Sequence, residues 1–374
     1  MIKEIKAKSI LRKHKKIDSW FLSAYSINLY RGCSHNCIYC DGRDDKYRVE
    51  GDFCRDITVK ENALELLEKE LNPARKRKSF VNGFMTICGG VSDAYQSLEK
   101  KYRFTQKVLE LLYKYEHPVH ILTKSSLVEK DIELLQKINN RKKAVVSFSF
   151  STVDDKLGKL LEPGASLPSK RLETIKRIKD SGIVTGIYLM PVLPYITDGY
   201  EQMENSVVKA KEAGVDFIVF GGMTLKEGKQ KDYFINFLQN NFSELLPKYR
   251  YIYSNNSQWG SPDKQYLEKT GELFCKIADK YKIPKMMPSK IYQPLVNKTE
   301  LVSIILEQLD YLAKLKGKNT PYGYAAYQIL KLEKPVEEHE YKDLISINGI
   351  GNVTAGIILE IIKTGKSGFY EKLL

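Results

Sequence analysis

The chain has 374 residues, of which 43% are hydrophobic and 28% charged. That balance excludes wholesale disorder and leaves room for one large domain with a smaller one. Sixty Lys and Arg stand against 46 Asp and Glu, a formal net charge of +14, which favours an anionic partner, nucleic acid first and an acidic membrane surface second. Charges recur from Lys3 onward, before any apolar signal segment could form. The longest uncharged run, Ser181 to Thr197, holds two prolines and two glycines, so no membrane span is expected and the expected compartment is the cytoplasm.

Residues 1–24 read as a basic, irregular extension that includes Arg12-Lys-His-Lys-Lys16. From Tyr25 onward, short β-rich segments alternate with amphipathic ones. Strands are predicted at 25–30, 83–88, 119–123, 144–150, 184–190 and 217–220, and helices at 59–71, 104–115, 129–138, 169–181 and 200–213. The last two helices run into Gly182 and Gly214, good C-cap signals. Six strand-then-helix units imply α/β architecture with a parallel sheet, either doubly wound and open or closed toward a barrel. In both, functional residues gather at the C-terminal strand ends. After about residue 290 the rhythm becomes helical, with 299–315 as one long amphipathic segment. The domains expected are therefore 1–24, 25–290 and a small C-terminal α-helical module at 291–374.

Arg31-Gly-Cys-Ser-His-Asn-Cys-Ile-Tyr-Cys-Asp41 packs three thiols into eight residues, spaced C-x3-C-x2-C, just after the first predicted strand. In a reducing compartment such a group reads as a metal site. Cys33, Cys37 and Cys40 suit a [4Fe–4S] cluster with one iron left open for a substrate or cofactor. The alternative is a structural zinc with His35 or Cys54 as fourth ligand, although zinc motifs usually bring a second cysteine pair.

This spacing, with an aromatic before the last cysteine at the end of the first strand of a βα series, resembles the radical S-adenosylmethionine (SAM) superfamily. The resemblance implies a partial (β/α)6 barrel and a cluster whose open iron holds SAM. It implies reductive cleavage to a 5′-deoxyadenosyl radical that abstracts hydrogen from a substrate, and an electron donor such as flavodoxin or ferredoxin. Gly32-Cys-Ser-His-Asn-Cys-Ile-Tyr-Cys40, Ser92-Asp-Ala-Tyr-Gln96, Glu99-Lys-Lys-Tyr-Arg103, His117-Pro-Val-His-Ile-Leu-Thr-Lys-Ser125, Ser149-Phe-Ser-Thr-Val-Asp154 and Leu161-Glu-Pro-Gly-Ala165 are similar to the branch related to spore photoproduct lyase, over roughly residues 20–225. It implies SAM contacts for Tyr39, Gly89, Gly90, Ser92, Asp93, Lys124 and Ser149. Val91 stands where an acid is common, and Lys124 could neutralise the SAM carboxylate. The branch also implies catalytic roles for Tyr39 and for a hydrogen-donor cysteine. That cysteine's own position is held by Gly90, while Cys88 lies two residues earlier on the same strand face, about 7 Å back, as a donor or as a buried core thiol. Asp41 replaces a tyrosine of the lyase.

In the tail, Leu344-Ile-Ser-Ile-Asn-Gly-Ile-Gly-Asn-Val-Thr-Ala-Gly-Ile357 resembles a helix–hairpin–helix. Gly349 and Gly351 permit a tight turn, and its N–H groups, with Asn352 and Thr354 at the next helix start, would face a phosphate. The basic run Arg75-Lys-Arg-Lys78 could add phosphate contacts. The function expected is radical SAM chemistry on a nucleic acid, DNA favoured, of repair type. The alternatives are modification of RNA, a peptide or a small metabolite, or a non-catalytic nucleic-acid-binding protein with a structural metal.

Overall fold

A computed structural model describes residues 1–75, 79–89, 91–254 and 257–374. Ten strands occur in chain order among these: β1 (Ile2–Ile5), β2 (Leu11–Lys13), β3 (Ser23–Ile27), β4 (Tyr30–Arg31), β5 (Ile57–Lys60), β6 (Phe84–Ile87), β7 (Val119–Thr123), β8 (Ala144–Phe150), β9 (Val184–Val192) and β10 (Phe217–Gly222). The main sheet runs β10-β9-β8-β7-β6-β3-β2. Every neighbouring pair in it is parallel except β2 with β3. β3, β6 and β8 are buried along their whole length, as expected of a parallel sheet covered on both faces. Crossover helices Phe104–Lys114, Ile132–Arg141, Pro168–Asp180 and Tyr200–Glu212 supply the cover. Gly182 and Gly214 stand at φ +80 and +78, the left-handed C-cap geometry predicted from sequence. The chain is a partial (β/α)6 barrel, and its parallel strands end on one face.

Two local expectations are corrected. Residues 1–24, read as irregular, contain β1, β2 and the start of β3. The helix expected at 59–71 begins only at Ala63, because the β-branched run Ile57-Thr-Val pairs as β5. β5 is central to a small second sheet, β1-β5-β4, parallel to β1 and antiparallel to β4. The strand predicted at 25–30 therefore breaks after Ile27, and Tyr30 pairs with Val59 in this second sheet. That switch of sheets aims the cysteine segment at the C-terminal face.

The opposite face is plugged. His120 in β7 hydrogen-bonds the Phe21 carbonyl and the Ser147 hydroxyl, each at 2.8 Å, and Tyr188 donates to the Trp20 carbonyl at 2.6 Å. The helix Lys298–Lys314 crosses here, with Gln308 donating to the Ser19 carbonyl (2.8 Å) and Tyr311 to the Phe220 carbonyl (2.6 Å). The tail's apolar residues join the same core cluster as the sheet. No helix among the described residues is long and apolar enough to cross a membrane.

Candidate active site

The cysteine loop leaves β4 through Gly32 at φ +83, where a Cβ would stand 2.7 Å from the Phe53 carbonyl. That same carbonyl accepts the Cys33 N–H at 3.1 Å. The loop then turns at Asn36, φ +53, and the Ile38 N–H donates to the Leu161 carbonyl at 2.9 Å. Cys33 and Cys37 are 7% and 6% exposed, Cys40 is half-buried, and all three thiols are free. Burial pushes each thiol up from its usual range, so a bound cation must replace the proton before they ionise.

Two residues that composition and spacing did not single out brace this loop. The Arg43 guanidinium is buried, bonds Asn36 Oδ1 at 2.6 Å, and stacks 3.6 Å from the Tyr233 ring centroid. Gly164 donates its N–H to the His35 carbonyl at 2.8 Å, and a Cβ there would meet the Ser34 carbonyl at 2.1 Å, so only glycine fits so close an approach. The His35 ring lies 3.1 Å from the Gly164 carbonyl through Nδ1 and 3.1 Å from Asp93 through Nε2. Cys54 is engaged with Asn36 and Asp52, 2.9 Å each. Cys54 Sγ and His35 Nδ1 are thus both hydrogen-bonded within the protein.

Asp93, expected at SAM, is 8% exposed and is a hub. Besides His35, its oxygens accept the Tyr95 N–H (2.7 Å), the Thr123 hydroxyl (2.7 Å) and the Lys124 N–H (2.8 Å). Burial raises its carboxyl, but His35 and these donors outweigh burial and hold it low. Its work is to tie the cysteine loop to the end of β7. Ser92 similarly donates to the Gly32 carbonyl at 2.7 Å. Gly89 is exposed at the end of β6, while Gly90 and Lys76, Arg77 and Lys78 of the basic run lie outside the described residues.

Lys124 and Ser149 do meet. Lys124 Nζ donates to Ser149 Oγ at 2.7 Å and to Glu162 at 3.0 Å, and lies 5.6 Å from the Tyr39 ring centroid. Glu162, which sequence reasoning quoted without assigning a role, is the centre of this group. It also accepts from Ser151 (2.9 Å), from buried Arg171 (2.5 Å) and from the Tyr39 hydroxyl. Burial alone would raise its carboxyl, yet Arg171 and then Lys124 hold it far below the carboxylate range. Two cations face one carboxylate, so the group carries an excess positive charge beside the cysteine loop. An incoming carboxylate would balance that charge.

Cys88 takes the core alternative. It is 1% exposed, adopts φ +53 and belongs to the main core cluster, with burial pushing its thiol up to about 12. In the tail, helices Tyr341–Ser346 and Asn352–Thr364 flank the glycine turn, with Gly349 at φ +87 and Gly351 exposed. Asn352 is exposed, but Thr354, expected at the phosphate, is 2% exposed. Its side chain packs inward because Thr354, in the helix's first turn, lies with Ala355, Ile358 and Ile361 on the buried face, which corrects that residue's assignment.

Residues 27–207 match the family described as the radical SAM superfamily. Those residues form a radical SAM domain. An uncharacterized protein of Mycobacterium tuberculosis (strain ATCC 25618 / H37Rv) is 28% identical over 264 residues, 69% of this chain and 75% of that one. One from Methanocaldococcus jannaschii is 28% identical over 246 residues, 66% and 83% of the two chains. Among solved structures, spore photoproduct lyase complexed with dinucleoside spore photoproduct superposes with TM-score 0.56 at 14% identity, covering 75% of this chain and 79% of that one. A mutant of the lyase with bound AdoMet and the same dinucleoside gives TM-score 0.52 at 14% identity, covering 75% and 78%. These structural likenesses establish the shared fold.

Radical SAM enzymes use a [4Fe–4S] cluster and SAM. The donor set fits: three free thiols on one braced loop at the C-terminal face of the barrel. Among the described residues no three His, Cys, Asp or Glu side chains gather around a single-ion site, and a cluster does not require it, since each thiolate binds a different iron.

Proposed function

We propose that Cys33, Cys37 and Cys40 hold the cluster and that the chain acts on nucleic acid, DNA favoured, in a repair-type hydrogen abstraction like that of spore photoproduct lyase. The cluster, when bound, supplies the electron that cleaves SAM to a 5′-deoxyadenosyl radical. The chain's own residues do the positioning. Lys124 offers its ammonium to the SAM carboxylate, with Ser149 and Glu162 fixing where that ammonium points. Tyr39, buried between the cysteine loop and Glu162, walls the cofactor side. Apolar residues around Leu161, Leu193 and Met223 exclude water from behind the loop.

The observation that carries this reading is the meeting of the thiol loop with the Lys124–Ser149–Glu162 group at the ends of the parallel strands. The nucleic-acid part draws support from the net charge, from the glycine turn between two tail helices, and from a barrel shared with a lyase solved with a dinucleoside lesion. The test is anaerobic reconstitution, reduction with dithionite, and deuterium tracing against damaged DNA, RNA and neither. Label moving from damaged DNA into 5′-deoxyadenosine is expected. Purified protein that carries zinc and no iron–sulfide, or SAM cleavage with label transferred only from RNA, would overturn the corresponding part.

A further inference from the structure

The barrel mouth carries a group of aromatic rings that neither the cysteine loop nor the Lys124 group uses. β9 ends at Val192, and the chain turns at Tyr195, which stands at φ +59. A bulky residue in that left-handed region is strained and persists only when its surroundings impose it. Here the Thr197 hydroxyl accepts the Leu193 N–H at 2.7 Å and the Leu193 carbonyl accepts the Ile196 N–H at 3.2 Å. The Tyr195 ring lies 6.2 Å from Tyr249 and 6.0 Å from Tyr266. Those two rings are pinned, Tyr249 to the Pro194 carbonyl (2.8 Å) and Tyr266 to Asp198 (2.7 Å).

Tyr195 nevertheless presents its ring to solvent, 39% exposed, and Tyr251, on the same helix as Tyr249, is 78% exposed. Lys248 Nζ sits 5.2 Å from the Tyr195 ring centroid. Arg250, on the same helix, is exposed, and neither cation forms an ion pair among the described residues. The segment belongs to the active-site face, because Tyr249, Ile252 and Tyr253 share an apolar cluster with Cys37, Ile38 and Tyr39. Charge points the same way. Residues 291–374 contain ten lysines, no arginine and ten acidic residues, so the whole excess of +14 resides in residues 1–290.

We propose that Tyr195 and Tyr251, flanked by Lys248 and Arg250, form a stacking platform for an unpaired nucleobase at the barrel mouth. This rests on the nucleic-acid reading above and narrows it to a single strand, or to a base extruded from a duplex. A paired base keeps its faces inside the helical stack, whereas an unpaired one can lie on a solvated ring while the cations meet the adjoining phosphates.

The experiment measures binding of the full chain to labelled oligo-dT and to a matched duplex across a salt series. Wild-type protein binds the single strand more tightly. Tyr195→Ala and Tyr251→Ala each weaken that binding by about tenfold or more, Tyr195→Phe retains it, and Lys248→Gln lowers the slope of log affinity against log salt by about one. Circular dichroism of each variant establishes that it is folded. Wild-type protein that binds no nucleic acid overturns the nucleic-acid reading and the platform together. Wild-type binding that the two alanine variants leave unchanged, or equal affinity for single strand and duplex, overturns the platform alone.

Discussion

Glu162 is a buried carboxylate whose partners come from four places in the chain: Tyr39, Lys124, Ser151 and Arg171. Removing one member of such a group strands the others' charge away from water. Glu162→Ala therefore lowers stability by about 3–5 kcal/mol, read from urea unfolding, and a loss under 1 kcal/mol would show that Arg171 finds water or another partner. Lys124→Met, which keeps the stem and deletes the charge, weakens SAM binding to the reconstituted protein by about tenfold or more. Equilibrium dialysis with labelled SAM checks this, and unchanged affinity would move the carboxylate contact elsewhere. Cys88, 1% exposed with its thiol raised to about 12, is expected to resist a thiol reagent in the native protein and to react once the protein unfolds.

At the scale of elements, the tail hairpin separates two glycines that look equivalent in the sequence. Gly349 stands at φ +87 and a Cβ would meet the Tyr324 ring at 2.3 Å, whereas a Cβ at Gly351 meets nothing within 4 Å. Gly349→Ala is expected to destabilise by about 1–3 kcal/mol, and Gly351→Ala to stay within about 0.5 kcal/mol, both read from denaturant midpoints. Gly351→Ala is thus the cleaner probe of phosphate contact at the turn. The crossover helices were legible because apolar residues at 3.6 spacing and glycine C-caps are local signals. β1, β2 and β5 were not, because each is three or four residues long and is stabilised by partners far along the chain. Ile2 pairs with Ile57 and Leu11 with Ile27, and no local period announces such a pairing.

For the molecule as a whole, the plugged end of the barrel sets a pH dependence. Burial lowers His120 from 6.5 to about 4. The unfolded chain therefore takes up this proton first as pH falls. The stability involved is fully present above pH 6.5 and lost between 6.5 and 4, roughly 3 kcal/mol in all. Denaturation midpoints of wild type and His120→Gln across that window test it, and parallel pH profiles would show that other groups dominate.

The sequence by itself determined the three-thiol spacing, the parallel βα rhythm and the switch to a helical tail, because each is written in neighbours a few residues apart. It located Lys124 and Ser149 at strand ends through a family resemblance. Only the tertiary structure decided that Asp93 braces the cysteine loop, that Glu162 gathers Lys124 and Arg171, that Thr354 turns inward and that Tyr195 keeps an open ring. Periodicity tells which face of an element a side chain takes, but which atoms meet it from other elements depends on how those elements pack. A buried charge takes its meaning from those partners.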